Sequence, residues 1–313
     1  MTRIAIVGGG ISGLAAAYEL EEQRRAGAEI EYVLYEAALR LGGVLRTEYI
    51  DGCVVEAGPD SFITEKPWAA DLCRALGIGD QLIASNDADR KTYILTRGRL
   101  VEMPDGLMFM VPTKILPTGF SPLFSWKTKL RMAQELLHPP RAADGDESVA
   151  AFVERHYGRE MVDRLADPLL SGVYGGEAAN LSVRAVLPRF AEMERTHGSL
   201  GKAMLAARRK MPSATGKPAP PLFTSLKNGM QTLGEAIVSR LSAAALRTDA
   251  RVEAIQAQPE AGGWTVSAGL QSDQFDGVIV ALPGPGAANV LRMASAQLSE
   301  ELNAIQYTSS ITV

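Results

Sequence analysis

Cysteine and histidine are scarce in this chain of 313 residues. It contains two cysteines, Cys53 and Cys73, and three histidines. Two cysteines are too few for a disulfide framework or a cysteine-rich metal site, and their scarcity is typical of a reducing compartment. No H-E-x-x-H or G-x-S-x-G motif occurs, so neither a zinc-protease site nor a serine-hydrolase nucleophile is indicated. We therefore predict a cytoplasmic protein that binds no metal.

Long apolar runs and an excess of basic charge are missing as well. No segment reaches the ~20 apolar residues needed to span a bilayer, and Met1–Val7 lacks the apolar core of a signal peptide. Lysine and arginine number 32 against 36 acidic residues, a net charge of −4. We therefore expect no membrane span, no leader and no nucleic-acid partner.

Glycine, by contrast, is abundant. The chain has 30 glycines, above the usual level of about 7%, which favours tight turns and a backbone that approaches a ligand closely. Hydrophobic residues make up 46% and charged residues 22%, the balance of a globular protein with a buried core. At about 100–200 residues per domain, the length allows one large or two moderate domains.

The first 36 residues predict a β-α-β unit. Arg3–Val7 has the short apolar run of a buried strand, Ile11–Arg25 has a helical apolar pattern, and Ile30–Tyr35 is again rich in apolar residues. Such a unit implies two parallel strands joined by a right-handed helical crossover.

Beyond this unit the pattern changes twice. It is mostly helical between about Met103 and Met211, and an α/β pattern returns after a Pro/Ser/Gly-rich linker over Met211–Pro221. The predicted helices are Pro67–Leu76, Trp126–Leu137, Val149–Tyr157, Glu160–Leu170, Leu200–Lys210 and Gln231–Ala243, and the predicted strands are Tyr93–Leu95, Arg99–Val101, Val252–Ile255, Trp264–Ser267 and Gly277–Leu282. We predict an α/β (or α+β) fold in which an inserted domain interrupts a Rossmann-like domain.

The loop between the first strand and the first helix carries the G-x-G-x-x-G fingerprint at Gly8, Gly10 and Gly13. The first glycine allows the tight turn, the second lets the backbone approach a pyrophosphate, and the third lets the helix pack closely on the strand. Glu36 follows 23 residues after Gly13, and an acid there suits ribose hydroxyls and disfavours NADP. The alternative is a glycine turn in a doubly wound fold that holds no dinucleotide.

A second glycine pair follows Glu36. The segment Arg40–Arg46 reads R-L-G-G-V-L-R. Adjacent glycines between arginines suit a backbone that passes close to an extended cofactor whose phosphates the arginines can neutralise. The alternative is an ordinary Gly-Gly turn with solvated arginines.

Together with Glu56–Ser61, these motifs resemble the FAD-dependent amine oxidase and protoporphyrinogen oxidase superfamily. Four later segments resemble the oxygen-dependent protoporphyrinogen oxidases in particular: Ser171–Gly176, Leu181–Arg184, Glu194–Ser199 and Leu226–Leu233. The resemblance covers essentially the whole chain. It implies a discontinuous FAD-binding domain (1–85 and 222–290), part of a substrate-binding domain (86–105 and 291–313) and a helical, membrane-associating insert (106–221).

The resemblance implies FAD as the cofactor. The pyrophosphate would be held by Gly8, Gly9, Gly10, Ile11, Ser12 and Gly13, and the adenosine ribose by Glu36 with Ala37. The rest of the cofactor would be lined by Arg40, Gly43, Val44, Gly58, Pro59, Asp60 and Ser61, and the backbone of Val252 would meet the adenine.

The implied reaction is the oxidation of protoporphyrinogen IX to protoporphyrin IX by O2 in haem biosynthesis, with hydride transfer to the flavin and release of H2O2. Arg90 matches the arginine that pairs with a substrate propionate, and Gly172 matches a glycine whose backbone faces the tetrapyrrole. Because the cofactor carries the chemistry, no catalytic side chain is assigned, and His197 is expected to be structural. Arg90 as an ordinary surface residue is the alternative to its substrate role.

Three other functions stay open. Coproporphyrinogen III, with four propionates rather than two, is the nearest alternative substrate. A different flavin oxidase, acting on amines or desaturating carotenoids, is less compatible with Ser171–Gly176 and Glu194–Ser199. A catalytically inactive protein that binds a tetrapyrrole or a partner is the alternative outside the enzymes.

Two further segments lead to predictions. Apolar residues in Leu107–Val111 and Phe120–Trp126 lie next to Lys127, Lys129 and Arg131. This pattern fits peripheral contact with the inner face of the cell membrane, or the wall of a substrate pocket beside a solvated basic face. Tyr307–Val313 predicts a β-branched strand at which the sequence stops, and the resembling proteins continue, so we expect an incomplete chain. A homodimer is also expected.

Overall fold

The computed structural model describes residues 1–86, 91–104, 106–108, 111–112, 115–140, 145–210, 221–259 and 262–309. The helices are α1 Ile11–Arg25, α2 Trp68–Ala75, α3 Ile115–Phe120, α4 Trp126–Glu135, α5 Val149–Tyr157, α6 Arg159–Met161, α7 Asp167–Tyr174, α8 Val183–Val186, α9 Pro188–His197, α10 Leu200–Lys210, α11 Gln231–Val238, α12 Gly284–Leu291 and α13 Ala296–Ala304. The strands are β1 Thr2–Val7, β2 Ile30–Tyr35, β3 Thr47–Ile50, β4 Cys53–Glu56, β5 Phe62–Ile63, β6 Leu82–Ala84, β7 Tyr93–Thr96, β8 Arg99–Glu102, β9 Leu107–Met108, β10 Val111–Pro112, β11 Phe223–Leu226, β12 Leu246–Arg247, β13 Val252–Ala257, β14 Trp264–Ala268, β15 Gln271–Phe275 and β16 Gly277–Val280.

The chain divides into two compact units. The described residues of 1–86 and 221–307 form the first unit, and those of 91–210 with 308–309 form the second. The predicted α/β fold is confirmed. The separate substrate-binding domain of 86–105 and 291–313 stays a prediction.

A parallel sheet in the order β12-β2-β1-β16 organises the first unit. β1 pairs along its whole length with β2, from Thr2 opposite Ile30 to Val7 opposite Tyr35. The predicted β-α-β unit is therefore present, and α1 has the predicted bounds. Because Ala5, Ile6 and Val7 are buried, the middle of this sheet is apolar on both faces.

Smaller antiparallel sheets complete the first unit. They are the β3-β4 hairpin, the sheet β5-β11-β6 and the sheet β13-β14-β15. The sequence analysis predicted neither β3-β4 nor β15. Both faces of the β3-β4 hairpin are largely exposed, so the hairpin lacks the alternating apolar pattern that marks a half-buried strand.

The second unit is mainly helical. Its core includes fully buried side chains of α5 and of the helices that follow it, among them Phe152, Tyr157, Leu165 and Leu170. The predicted hairpin is present as β7-β8, and α5 and α10 have their predicted bounds. Among the described helices of the whole chain, none combines the length and apolar character that crossing a bilayer requires.

The helix predicted over Glu160–Leu170 differs from expectation. The structure has the single turn of α6, a π-helix over Val162–Ala166, and then α7. The N–H of Asp167 bonds to the carbonyl of Val162, which is the five-residue spacing of a π turn. Apolar periodicity alone does not reveal the extra residue, because both helix types can place Leu165 and Leu170 in the core.

The C-terminal strand is also not observed where the structure describes it. Residues 306–309 form no regular structure, and residues 310–313 lie outside the described part. The β-branched composition that suggested a strand is a weak signal, since β propensity depends on a partner strand and on burial. Two helices before this segment, α12 and α13, were not predicted.

Candidate functional site

The three fingerprint glycines do not have the same surroundings. A Cβ built on Gly8 would lie 2.5 Å from the carbonyl oxygen of Ala281, and one on Gly13 would lie 1.8 Å from the carbonyl oxygen of Gly8. A Cβ on Gly10 would meet nothing within 4 Å. Gly8 and Gly13 are therefore required by packing of the protein itself, whereas Gly10 borders open space.

The N-terminus of α1 is available to an anion. Its N-cap is Gly10, which provides no side-chain hydrogen bond, and its first turn contains no acidic residue. The first N–H groups of a helix lack partners within the helix and form the positive end of its dipole. Ile11 is half-buried and Ser12 is exposed in this turn. A phosphate is the ligand that such a glycine loop accepts most readily.

The carboxylate of Glu36 is bound to the glycine loop. Its Oε2 accepts a hydrogen bond from the N–H of Gly9 at 2.7 Å, and its Oε1 accepts one from the N–H of Ala38 at 2.7 Å. Each carboxylate oxygen can accept a further bond, so ribose hydroxyls can still be accommodated. Ala37 lies between these contacts and is half-buried.

The Arg40–Arg46 segment packs on the glycine loop. The N–H of Gly42 donates to the carbonyl of Gly9 at 2.8 Å, and a Cβ on Gly43 would lie 3.0 Å from the Cα of Gly10. Val44 is 69% exposed, as expected for a residue that could line a cofactor.

Arg40 binds the backbone of its own loop. Its guanidinium donates to the carbonyls of Leu41, Gly43 and Leu45 at 3.0, 2.5 and 2.9 Å. In this arrangement Arg40 holds its own loop together. A phosphate contact through Arg40 stays a prediction.

The Glu56–Ser61 segment lies beside the same loop. A Cβ on Gly58 would lie 2.0 Å from the carbonyl oxygen of Val44, so only glycine fits this crossing. Pro59 and Asp60 are exposed and Ser61 is half-buried. The hydroxyl of Ser61 donates to Asp60 at 2.8 Å.

The Leu226–Leu233 motif contacts the β3-β4 hairpin, which leads into the Glu56–Ser61 segment. Glu56 accepts the N–H of Met230 at 2.6 Å, and Thr47 accepts the N–H of Gln231 at 3.1 Å. A Cβ on Gly229 would lie 2.3 Å from the side chain of Thr47. The start of α11 is thereby fixed to the β3-β4 hairpin, a supporting role that the sequence analysis did not assign.

The segment before Val252 pairs with the backbone of Glu36. The N–H of Glu36 donates to the carbonyl of Arg247 at 2.9 Å, and the N–H of Ala250 donates to the carbonyl of Glu36 at 2.9 Å. Val252 is buried and follows two residues later as the first residue of β13. Backbone pairing thus connects Glu36 with the residues just before Val252. The adenine contact of Val252 stays a prediction.

The predicted substrate residues are described only in part. Arg90 lies outside the described residues. Gly172 is exposed near the end of α7, and a Cβ there would meet nothing within 4 Å. The neighbouring side chain of Val173 is 69% exposed.

The Glu194–Ser199 motif takes part in a buried polar network of the second unit. Glu194 accepts hydrogen bonds from the guanidinium of Arg155, and its Oε1 lies 3.2 Å from Nε2 of His156. Nδ1 of the same imidazole lies 3.2 Å from Oε1 of Glu135. His197 is the last residue of α9. Its expected structural role stays a prediction.

Glu135 is the acceptor at the centre of this network. It receives hydrogen bonds from the hydroxyl of Ser199 at 2.8 Å and from the N–H groups of Leu200 and Gly201 at 2.6 and 3.2 Å. Burial opposes its charge, but these bonds and His156 outweigh burial and hold the pKa of Glu135 below its ordinary value. The motif thus fixes the N-terminus of α10 to α4.

The residues of the first unit fit FAD. The open space at Gly10, the N–H groups of α1 and the carboxylate of Glu36 together form a cradle for an adenosine diphosphate moiety. Among the described residues, no cluster of histidine, cysteine and acidic side chains is placed to hold a metal ion.

The fold and the glycine loop define an α/β protein of the dinucleotide-binding class. The model of the family described as flavin-containing amine oxidoreductase matches residues 11–313. The chain belongs to this family, and the family implies FAD as its cofactor.

Two named relatives match most of this chain. A Bacillus subtilis protein named coproporphyrinogen III oxidase is 34% identical over 293 residues, which cover 92% of this chain and 61% of that protein. The mitochondrial protoporphyrinogen oxidase of Nicotiana tabacum is 31% identical, covering 80% of this chain and 50% of that protein.

A crystal structure from Exiguobacterium sp. 255-15, provisionally named a protoporphyrinogen oxidase, superposes with a TM-score of 0.81 at 32% identity. The match covers 96% of this chain and 63% of the Exiguobacterium chain. The present chain therefore spans about half to two thirds of the length of the relatives described here.

Proposed function

We propose that the chain carries the FAD-binding part and some of the substrate-binding part of a porphyrinogen oxidase that uses O2. The single observation that carries this proposal is the uncapped glycine loop, open at Gly10 and closed by Glu36, in a chain of the flavin family. The Ser171–Gly176 and Glu194–Ser199 segments support the porphyrinogen substrate class.

In this proposal the protein's own residues bind and orient the cofactor. Gly8–Gly13 and Glu36 hold the adenosine diphosphate end, while Gly43, Val44 and Gly58–Ser61 border the path toward the flavin. A flavin bound there supplies hydride acceptance from the substrate and reoxidation by O2 with release of H2O2. No side chain is needed as a nucleophile or metal ligand for this chemistry.

We propose coproporphyrinogen III as the substrate, with coproporphyrin III as the product. The name and 34% identity of the Bacillus subtilis relative support this choice. Protoporphyrinogen IX, expected from the sequence motifs, is the second candidate, and the tobacco relative supports it. The two substrates differ in the number of propionates, so basic side chains near the tetrapyrrole would discriminate between them.

The test uses this chain and a version extended at its C-terminus to the length of the relatives. Each is purified, its flavin absorbance is recorded, and porphyrin fluorescence is followed after addition of either porphyrinogen in air. A flavin spectrum and faster coproporphyrin formation support the proposal. Faster protoporphyrin formation moves the assignment to the second candidate, and bound porphyrin without flavin or oxidation supports an inactive binding protein.

We also propose peripheral membrane contact at the inner face of the cell membrane. Leu116, Phe120 and Trp126 are 72, 82 and 77% exposed, and Lys129 Nζ lies 4.6 Å from the centroid of the Trp126 ring. Apolar side chains beside lysines suit an anionic interface. Binding to vesicles containing phosphatidylglycerol that falls with salt would support this contact, and its absence would favour an internal pocket wall. A homodimer stays a prediction.

A further inference from the structure

Tyr307 belongs to the C-terminal segment for which the sequence suggested a strand. Its hydroxyl accepts a hydrogen bond from the backbone N–H of Gly284 at 2.8 Å. Gly284 is buried and is the first residue of α12. Its N–H is one of those that a helix leaves without an internal partner. Tyr307 therefore satisfies a buried donor at the start of a helix.

The aromatic ring fits closely against this glycine. A Cβ built on Gly284 would lie 2.9 Å from both Cε2 and the hydroxyl oxygen of Tyr307. At Gly286, two residues later in the same helix, the nearest atom to such a Cβ is Leu282 Cβ at 3.6 Å. A side chain at 284 would therefore displace the end of the Tyr307 ring, whereas one at 286 would make an ordinary contact.

The turn that carries Gly284 rests on the fingerprint loop. The N–H of Ala281 donates to the carbonyl of Val7 at 2.8 Å. The carbonyl oxygen of Ala281 and Cδ2 of Leu282 would lie 2.5 and 3.0 Å from a Cβ on Gly8. The Cβ of Ala281 would lie 3.4 Å from a Cβ on Gly13. Ala281 therefore borders both the first and the last glycine of the fingerprint.

We propose that Tyr307 is a positioning residue of the flavin site. By holding Gly284, it keeps the turn 281–284 against Gly8 and Gly13 and so limits the motion of the loop whose N–H groups face the phosphates. Preorganised donors bind more tightly than donors that must first be ordered. The inference rests on the proposed function for the identity of the ligand, whereas the effect of Tyr307 on the loop can be measured without it.

The test compares Tyr307→Phe and Gly284→Ala with two matched controls. Tyr93→Phe removes the hydroxyl of a half-exposed tyrosine in the β7-β8 hairpin, and Gly286→Ala adds the same methyl group two residues from Gly284. Hydrogen exchange is measured on peptides covering residues 8–14 and 281–287 without cofactor. Affinity for FAD is then measured by quenching of flavin fluorescence.

We expect faster exchange in both peptides for Tyr307→Phe and Gly284→Ala. Affinity for FAD should fall by about two- to tenfold in Tyr307→Phe, the effect of losing one hydrogen bond. Both controls should match the parent chain. A purely local role of Tyr307 would speed exchange at 281–287 only.

Hydrogen exchange at residues 8–14 decides whether Tyr307 positions the glycine loop. Unchanged exchange there in Tyr307→Phe would overturn this role, even if Gly284→Ala fails to fold. If the parent chain and its extended version bind no FAD, the proposed function fails, and the exchange data still decide whether Tyr307 positions the loop.

Discussion

Individual glycines of the fingerprint have separable roles, although the sequence motif treats them alike. Gly8 and Gly13 are forced by contacts with Ala281 and with the loop's own backbone, and Gly10 is not forced by any atom of the described protein. The open space at Gly10 leaves room for an external group at that position. This difference could not be seen in the spacing of the motif.

Substitution of Gly10 should separate ligand binding from stability. We expect Gly10→Ala to fold with an unchanged melting temperature and to lose most of its affinity for FAD, because the added methyl group occupies the phosphate side of the loop. Gly13→Ala should instead lower the melting temperature strongly, since its Cβ would overlap the carbonyl of Gly8. The measurements are thermal unfolding without cofactor and flavin fluorescence titration. Equal effects of both variants on stability would contradict this division.

Gly172 allows a similar separation at the substrate end. It lies in an exposed part of α7 where a Cβ meets nothing, so Gly172→Ala should stabilise the helix by about 0.5–1 kcal/mol. If the backbone of Gly172 faces the tetrapyrrole, the same change should raise KM for the porphyrinogen at least severalfold. Steady-state kinetics of the extended chain, with urea unfolding as the control, test both effects. A stabilised variant with an unchanged KM would exclude the substrate contact.

At the level of elements, the buried acceptor Glu135 joins α4, α5 and α10. Its pKa is held below the ordinary value of 4.5 in the folded chain. The unfolded chain therefore takes up the proton first as the pH falls, so this contribution to stability is present above pH 4.5 and is lost below it.

Replacement of Glu135 should show this dependence directly. We expect Glu135→Gln to lower the free energy of unfolding at pH 7 by about 3 kcal/mol and to flatten its decline between about pH 5 and pH 3. The exposed Glu154→Gln on α5 is the control and should change neither quantity by more than about 0.5 kcal/mol. Urea unfolding across this pH range is the measurement. A decline as steep as that of the parent chain would show that other carboxylates dominate.

Elements with a clear apolar period could be predicted from the sequence, and those defined by partners could not. The bounds of α5 and α10 follow from their apolar faces, whereas α1 has only a weak apolar face and is marked by the glycine loop before it. The exposed β3-β4 hairpin has no apolar face to detect, and its position depends on Thr47 and Glu56 binding the start of α11. The predicted helix through Leu165 was wrong only in its hydrogen-bond register, which side-chain spacing records poorly.

For the whole molecule, the fold and cofactor class could be predicted, while the division of labour among the site residues could not. The glycine loop and Glu36 are contiguous motifs, so their chemistry is visible in the sequence. The guanidinium of Arg40 binds three carbonyls of its own loop, which the sequence does not show, and its phosphate contact stays a prediction. Glu36 pairs with Arg247 and Ala250, and Tyr307 packs on Gly284, through long-range contacts that no local pattern encodes.

Cofactor binding should stabilise the unit that contains the loop. We expect FAD at about 100 times its Kd to add about 2.7 kcal/mol to the stability of that unit. With Trp68 and Trp126 replaced by phenylalanine, Trp264 on β14 reports its unfolding by fluorescence. The midpoint should rise with FAD in this variant and should not move when Gly10→Ala is added. An unfolding midpoint that FAD shifts in neither variant would contradict the proposed site.

The π turn at Val162–Ala166 also has an evolutionary reading. A π turn differs from an α turn by one inserted residue, so the loss of a single codon within this stretch would convert it to an ordinary α-helix. Because the π turn absorbs the extra residue, such a deletion would leave α7 in phase with α6. Gly172 and Val173 would then keep the face that they now present. A deletion within α7 ahead of Gly172, where no extra residue is available, would instead rotate the helix end by about 100°.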